Sequence, residues 1–205
     1  MIMESIDIAF TTKALLLLSI ERILYGYWFI YPKSFEKNVR NGNFGARLKA
    51  EPLLWKCAMT LGMYIKVFQF SVIIFDLLMR CDLTNPLEST EAMVKAMGGV
   101  VLLILGQVLN YATFKALKPI GVYYGYEFGY DVPMVSGFPY NIGISDPQYW
   151  GVILCIWGIY LTIGASSYIV PVLETFWYLM SMKLLENQRG RNLARSIFGD
   201  DIKKE

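Results

Sequence analysis

The run Tyr149–Leu185, YWGVILCIWGIYLTIGASSYIVPVLETFWYLMSMKLL, decides the fold. As a single helix it would reach about 50 Å, at roughly 1.5 Å per residue, far beyond a hydrocarbon core of about 30 Å. The run is interrupted by Gly164-Ala165-Ser166-Ser167 and then by Pro171, which offer a place to turn. The sequence therefore predicts a hairpin of two short helices, at 149–163 and 168–185.

Three further apolar segments precede the hairpin, at about 10–31, 53–79 and 93–117. Each is long enough to cross a bilayer as a helix, which takes about 20 residues. Hydrophobic residues make up 55% of the chain and charged residues 18%, which is not the composition of an ordinary soluble domain. We therefore expect an all-α integral membrane protein, a single membrane domain over 1–205 with about five transmembrane helices.

Lysine and arginine are unevenly distributed among the loops and the tail that flank the apolar segments. The loop after the first segment and the C-terminal tail 186–205 are basic (Lys33, Lys37, Arg40, Arg47 and Lys49; Arg189, Arg191, Arg195, Lys203 and Lys204). The connection 80–92 has only Arg80 against three acids. Under the positive-inside rule both basic regions face the cytosol, which five spans allow and four do not. We expect a cytosolic C-terminus, in the endoplasmic reticulum membrane.

The N-terminus does not resemble a cleaved signal. Glu4 and Asp7 occupy the part that is basic in signal peptides, and no small-residue cleavage site follows the first apolar segment. We expect that segment to stay in the mature protein.

Composition also excludes several kinds of chemistry. Histidine is absent, which removes the usual general base, the commonest metal ligand and every imidazole-based triad. The three cysteines, Cys57, Cys81 and Cys155, have no metal-ligand spacing, so no metal is expected. A net charge of +2, without a basic run interleaved with aromatics, gives no indication of nucleic-acid binding.

Ionisable residues inside the apolar segments indicate function, because charge is costly in a bilayer. Glu21 and Arg22 either pair with each other or line a cavity, and the sequence leaves both open. Lys66 and Asp76 are too far apart in sequence to pair along one helix face, so each needs a partner on another helix. The lysines near segment ends can extend to the interface instead (Lys13, Lys56 and Lys95).

The connection within residues 106–151 is dense in aromatics and glycines, unlike an ordinary polar loop. Its aromatic residues are either an interfacial belt or part of a ligand site. Interleaved glycines favour the ligand site, because they let the backbone approach a ligand closely. Aromatic faces also hold sulfonium and alkylammonium cations well.

Four motifs in this region, in order, resemble the class II phospholipid N-methyltransferases, the small phosphatidylethanolamine methyltransferase family. They are GQVLN (106–110), GVYYG with FG (121–129), GFPYNI (137–142) and DPQYWG (146–151). The resemblance is greatest to plant and fungal members that act on partly methylated lipids. It covers about 100–190 well and the first two segments loosely, through ERILYGYWFIYP (21–32) and KVFQF (66–70).

The resemblance implies N-methylation of a phospholipid amino headgroup, toward phosphatidylcholine, with S-adenosylmethionine as methyl donor. Family members bind this co-substrate through a G-x-G element in the third span and an acidic pair after the last. Here the first reads Ile104-Leu105-Gly106, with only the second glycine, and the second reads Glu186-Asn187, with only the first acid. Tyr149, within DPQYWG, is the implied substrate-binding residue.

No catalytic residue is assigned by the sequence. The lipid ammonium must lose a proton, and Glu127, Asp146 and Tyr149 lie in the right region to accept it. The acceptor lipid also stays open between phosphatidylethanolamine and its mono- and dimethyl derivatives, as does the oligomeric state.

Three alternatives differ in class. DPQYWG is also similar to an element of the isoprenylcysteine carboxyl methyltransferases, although GFPYNI and GQVLN favour the lipid enzyme. A sterol reductase-like enzyme using NADPH could share the helical hairpin but has no motif here. A non-catalytic membrane protein would bind no S-adenosylmethionine.

The charge distribution generates a topological prediction. A reporter fused after Glu205 should lie in the cytosol, on the same side as a reporter inserted near Asn41, because both regions are basic. Protease protection of the two reporters in sealed membranes measures this. Reporters on opposite sides would contradict the five-span topology.

Overall fold

The computed structural model describes residues 8–80, 89–133 and 135–183, and every regular element within them is a helix. The helices are α1 (Ile8–Ile30), α2 (Pro32–Asn41), α3 (Ala46–Ala50), α4 (Leu54–Arg80), α5 (Thr90–Val122), α6 (Pro147–Ile163) and α7 (Ile169–Ser181). The predicted all-α membrane fold is confirmed.

Helices cover all five apolar segments, but they differ in length. α4 and α5 are long and apolar enough to span a bilayer, and α1 with α2 would make a third, bent span. α6 and α7 are apolar but shorter than the usual span of about 20 residues. The predicted number of about five spans is therefore not confirmed. The basic tail 186–205 lies outside the described residues.

A proline separates α1 from α2. Tyr31 precedes Pro32, and a residue before proline is disfavoured in the helical region, so α1 ends at Ile30. Pro32 begins α2, which runs at 102° to α1. α2 buries Phe35 and exposes its lysines, an arrangement typical of a helix lying in the membrane interface.

α5 continues past its predicted end at Leu117 but changes direction there. Lys118 has φ 57° and ψ 169°, which interrupts the helical backbone immediately before Pro119. The break directs the following turn toward α1, where the Tyr124 ring packs 6.0 Å from Tyr25 and 5.9 Å from Phe29, centroid to centroid.

Glycines allow α5 and α6 to pack more extensively than any other described pair of helices. Gly99 and Gly106 of α5 face Gly158 and Gly151 of α6, and we call these four residues the glycine seam. A Cβ atom at Gly106 would lie 2.5 Å from the Gly151 carbonyl oxygen, and one at Gly99 2.7 Å from that of Gly158. The two backbones are thus too close for side chains between them.

α7 folds back on α6 after a turn at Gly164, where the sequence predicts it. Gly164 ends α6 with φ 74°, a conformation that favours glycine. The Trp157 indole then donates to the Thr175 hydroxyl at 2.9 Å, which joins the two helices. α7 also packs against α1, so the hairpin meets the N-terminal half of the chain.

The glycine seam generates a stability prediction. Gly99→Ala should lower the free energy of unfolding by about 1–3 kcal/mol, the usual cost of overpacking. The new methyl group would lie 2.6 Å from the Thr162 backbone nitrogen. Gly98→Ala is the matched control, because its Cβ would meet no atom within 4 Å. Denaturant unfolding in detergent measures the free energy of unfolding of both variants. Equal values would contradict close backbone packing at Gly99.

Candidate active site

A cavity of about 860 Å³ lies where α1, α4, α6 and α7 meet the connection between α5 and α6. α1 contributes Arg22, Tyr25 and Phe29, while α4 contributes Lys66 and α7 contributes Tyr178. Its volume falls within the range of about 300–1,000 Å³ typical of small-molecule sites. The cavity is thus assembled from both halves of the sequence.

Tyrosines dominate the cavity wall. They come from α1, from the connection after α5, from the first turn of α6 and from α7 (Tyr25, Tyr123, Tyr124, Tyr126, Tyr130, Tyr140, Tyr149 and Tyr178). Burial raises the pKa of the Tyr123 hydroxyl, which therefore stays protonated at neutral pH. Such a wall offers a cation both aromatic faces and hydroxyl groups.

Lys66 organises the deepest part of the cavity. Its ammonium donates to Glu21 Oε1 at 2.7 Å, to Gln69 Oε1 at 2.9 Å and to the Tyr178 hydroxyl at 2.8 Å. These contacts join α4 to α1 and α7. The prediction that Lys66 has partners on other helices is confirmed, as it is for Asp76, which accepts from the Tyr160 hydroxyl at 2.6 Å.

A second buried carboxylate extends this cluster. Gln69 Nε2 donates to Glu174 Oε1 at 2.6 Å, and Gln69 and Glu174 are 2% and 1% exposed. Gln69 thus joins Glu174 of α7 to Lys66. We call Glu21, Arg22, Lys66, Gln69, Glu174 and Tyr178 the buried polar cluster.

Arg22 takes part in the cluster mainly through its guanidinium face. The guanidinium carbon lies 3.5 Å from the centre of the Tyr178 ring and 5.8 Å from that of Tyr149. Its Nη2 lies 3.4 Å from Glu21 Oε1. The sequence left open whether Glu21 and Arg22 pair with each other or line a cavity. In the structure they are paired, and Arg22 also lines the cavity.

The connection between α5 and α6 contributes acidic side chains to the cavity wall. They are Glu127, Asp131 and Asp146. The Tyr130 hydroxyl accepts from the Leu54 backbone N–H at 3.0 Å, which ties this connection to the start of α4. The cavity therefore has carboxylates at the connection and cationic groups among the helices.

The predicted site residues divide into three groups. Tyr149 lines the cavity, as do the candidate proton acceptors Glu127 and Asp146. The element Ile104-Leu105-Gly106 lies elsewhere, since Gly106 is in the glycine seam and the side chains of Ile104 and Leu105 are 58% and 50% exposed on α5. Glu186 and Asn187 lie outside the described residues.

Sequence reasoning did not identify Tyr178, Gln69 or Tyr25. Gln69 stands within the KVFQF segment, where a polar side chain inside an apolar run was an available signal. The tyrosines gave no comparable signal, because aromatic residues are common throughout membrane helices and at their ends.

Comparisons with known proteins converge on one family. Residues 94–193 match the family model described as phospholipid methyltransferase. A phosphatidyl-N-methylethanolamine N-methyltransferase of Arabidopsis thaliana is 42% identical over 55 residues, 27% of this chain and 33% of the relative. An enzyme of the same name from Schizosaccharomyces pombe is 35% identical over 92 residues, 43% of this chain and 46% of the relative.

The matched segments thus span between a third and just under half of these relatives. No solved structure gives a significant match to the chain.

Proposed function

We propose that the chain is a member of the phospholipid methyltransferase family, whose model matches residues 94–193, and that it transfers methyl groups from S-adenosylmethionine to the amino headgroup of a membrane phospholipid. The names of its relatives favour a partly methylated phosphatidylethanolamine as acceptor, with phosphatidylcholine as the final product. Residence in the endoplasmic reticulum with a cytosolic C-terminus is part of the same proposal.

The observation that carries the proposal is the tyrosine-lined cavity, much of whose wall belongs to the segment that matches the family. Both reactants are cationic at the reacting end, as a sulfonium and as an alkylammonium. Aromatic faces attract such cations without the desolvation that a carboxylate would require. The cavity wall also carries both acidic and basic side chains, which can contact the charged groups of the two reactants.

The residues present fit S-adenosylmethionine. Its ammonium and ribose hydroxyls need acceptors, which Glu127, Asp131 and Asp146 supply, and its carboxylate needs a cation, which the buried polar cluster supplies. The bound molecule contributes an electrophilic methyl group on sulfur. On the family resemblance alone we keep Glu186-Asn187 as a proposed binding element, and Ile104-Leu105-Gly106 as one that would hold the co-substrate beside this cavity and not in it.

The protein's own contribution is alignment, exclusion of water and removal of a proton. Nitrogen, methyl carbon and sulfur must be collinear, which bound reactants achieve at far lower entropic cost than free ones. The amine must also lose its proton before it can attack. Glu127, Asp146 and Tyr149 all line the cavity and are the candidate acceptors.

Tyr149 is the proposed substrate-binding residue. Its hydroxyl lies 3.3 Å from that of Tyr124, and its ring packs 5.4 Å from that of Tyr178, which fixes the ring at the wall of the cavity. A ring held in this way presents a face to the methylated ammonium at little further entropic cost.

A direct assay tests the proposal. Membranes from a methylation-deficient host that expresses the chain are incubated with labelled S-adenosylmethionine and each acceptor in turn. Label in phosphatidylethanolamine, or in its mono- or dimethyl derivative, supports phospholipid methylation. Label in prenylated cysteine instead would support the carboxyl methyltransferase, and no binding of S-adenosylmethionine in detergent would support a non-catalytic protein.

A substitution of Glu186 tests the proposed co-substrate element. Glu186→Gln should lower kcat/KM roughly ten- to a hundredfold, because a charged hydrogen bond at a partly dry site contributes about 1.5–3 kcal/mol. Asn187→Ala is the matched control and should lose less. If Glu186→Gln accumulates normally and turns over like the parent, Glu186 does not belong to the site, although the family assignment stands.

A further inference from the structure

Two of the described residues that line the cavity carry a positive charge, Arg22 and Lys66. They lie in the same buried polar cluster and contact the same tyrosine, Tyr178. Their hydrogen bonding differs, however, and only Arg22 has donors left for a ligand.

The Lys66 ammonium is fully engaged within the protein. An ammonium has three N–H donors, and Lys66 directs them to Glu21, Gln69 and Tyr178, all within 2.9 Å. A ligand could gain a hydrogen bond from Lys66 only by breaking one of these. Lys66 therefore has a structural role.

The Arg22 guanidinium is charged and buried, yet its donors are largely unused. Its side chain is 5% exposed, and neither Nε nor Nη2 makes a hydrogen bond to any described residue. The Tyr178 ring face compensates the charge but accepts none of the in-plane N–H groups. Buried charged donors without acceptors are costly, so an acceptor brought by a ligand would stabilise them.

The buried carboxylates accept no hydrogen bond from these nitrogens, although Glu21 Oε2 and Glu174 Oε2 also have no hydrogen-bond partner among the described residues. Glu21 Oε1 is already bound to Lys66 at 2.7 Å and lies 3.4 Å from Arg22 Nη2, beyond a good charge-assisted hydrogen bond. Glu174 accepts from Gln69 and forms no ion pair within the described part of the chain. Arg22 thus lines the cavity without a strong acceptor of its own, but Nε and Nη2 are enclosed by protein atoms, so a ligand bonds them only once the guanidinium turns toward the cavity.

Building on the proposed function, we propose that Arg22 binds the anionic group of a ligand in the cavity. Its planar fork fits two oxygens of a phosphodiester or of a carboxylate. The two reactants each bring one such group, the phosphodiester of the lipid and the carboxylate of S-adenosylmethionine. In either case Arg22 would hold the anionic group of the ligand among the helices, while the cationic group of the same ligand lies against the tyrosines.

Arg22→Gln tests this role, because it removes the charge while Glu21 keeps its contact with Lys66. Arg22→Lys retains the charge but not the fork, and should show a smaller effect. Lys13→Gln is the matched control, since it removes one positive charge from an exposed position on the same helix. All are purified in a maltoside detergent, which contains no phosphate.

Steady-state kinetics distinguish the two anions. If Arg22 binds the phosphodiester, Arg22→Gln should raise the KM for phosphatidyl-N-methylethanolamine at least about tenfold and leave the KM for S-adenosylmethionine unchanged. If Arg22 binds the carboxylate, the KM for S-adenosylmethionine should rise by that factor. The variant should then also lose the parent's preference for S-adenosylmethionine over its decarboxylated analogue. Either result supports the proposal.

If both KM values of Arg22→Gln lie within about twofold of those of Lys13→Gln, the proposed anion site is wrong, whatever the folded yield. If Arg22→Gln does not accumulate, Arg22→Lys is measured instead: a rise of more than about twofold in the KM for one reactant alone supports the site, and a smaller change overturns it. A parent that methylates no lipid amine refutes the proposed function instead. The anion site is then tested by the Tm shifts that S-adenosylhomocysteine and dihexanoylphosphatidylcholine cause. A shift in the parent that is absent from Arg22→Gln supports the site, and equal shifts overturn it.

Discussion

The Lys66 ammonium is the interaction on which the rest of the described structure depends. Its three hydrogen bonds reach Glu21 on α1, Gln69 on α4 and Tyr178 on α7, so one side chain joins three helices inside an apolar environment. Removing Glu21, Gln69 or Tyr178 would leave the Lys66 ammonium one acceptor short, and removing Lys66 would leave the buried Glu21 carboxylate without its nearest cation. The positions of α1, α4 and α7 around the cavity are therefore coupled through a single amine.

The pairing of α5 with α6 rests on a different principle. Here the contact is between backbones, permitted by the glycine seam, and no charge is involved. The seam fixes the start of α6, and with it Asp146 and Tyr149, relative to the end of α5 and the turn that follows. The cavity forms where this pair meets the three helices joined by Lys66, so its walls derive from two independent kinds of packing.

The sequence predicted the apolar helices, because apolar runs mark their extent and Gly164 marks the turn between α6 and α7, but it did not predict the short helices α2 and α3. It also predicted that Lys66 needed a partner elsewhere, since a buried charge is costly in any fold. It could not identify Glu21 or Tyr178 as that partner, because the rotation of each helix about its axis depends on packing with the others. Gly106 shows the same limit, since a motif glycine and a packing glycine look alike in one sequence, and the structure places it in the seam.

The cavity lies beside the C-terminal parts of α1, α5 and α7 and the first turn of α6, and it reaches Lys66 near the middle of α4. The 102° bend turns α2 away from α1 at the C-terminal end of α1, which the proposed function puts at the membrane surface. Under the proposed function, only lipids of the adjoining leaflet can bring their headgroups to the tyrosines. Methylated lipid would then accumulate on one face of the membrane, and its appearance on the other face would report the rate of transbilayer exchange.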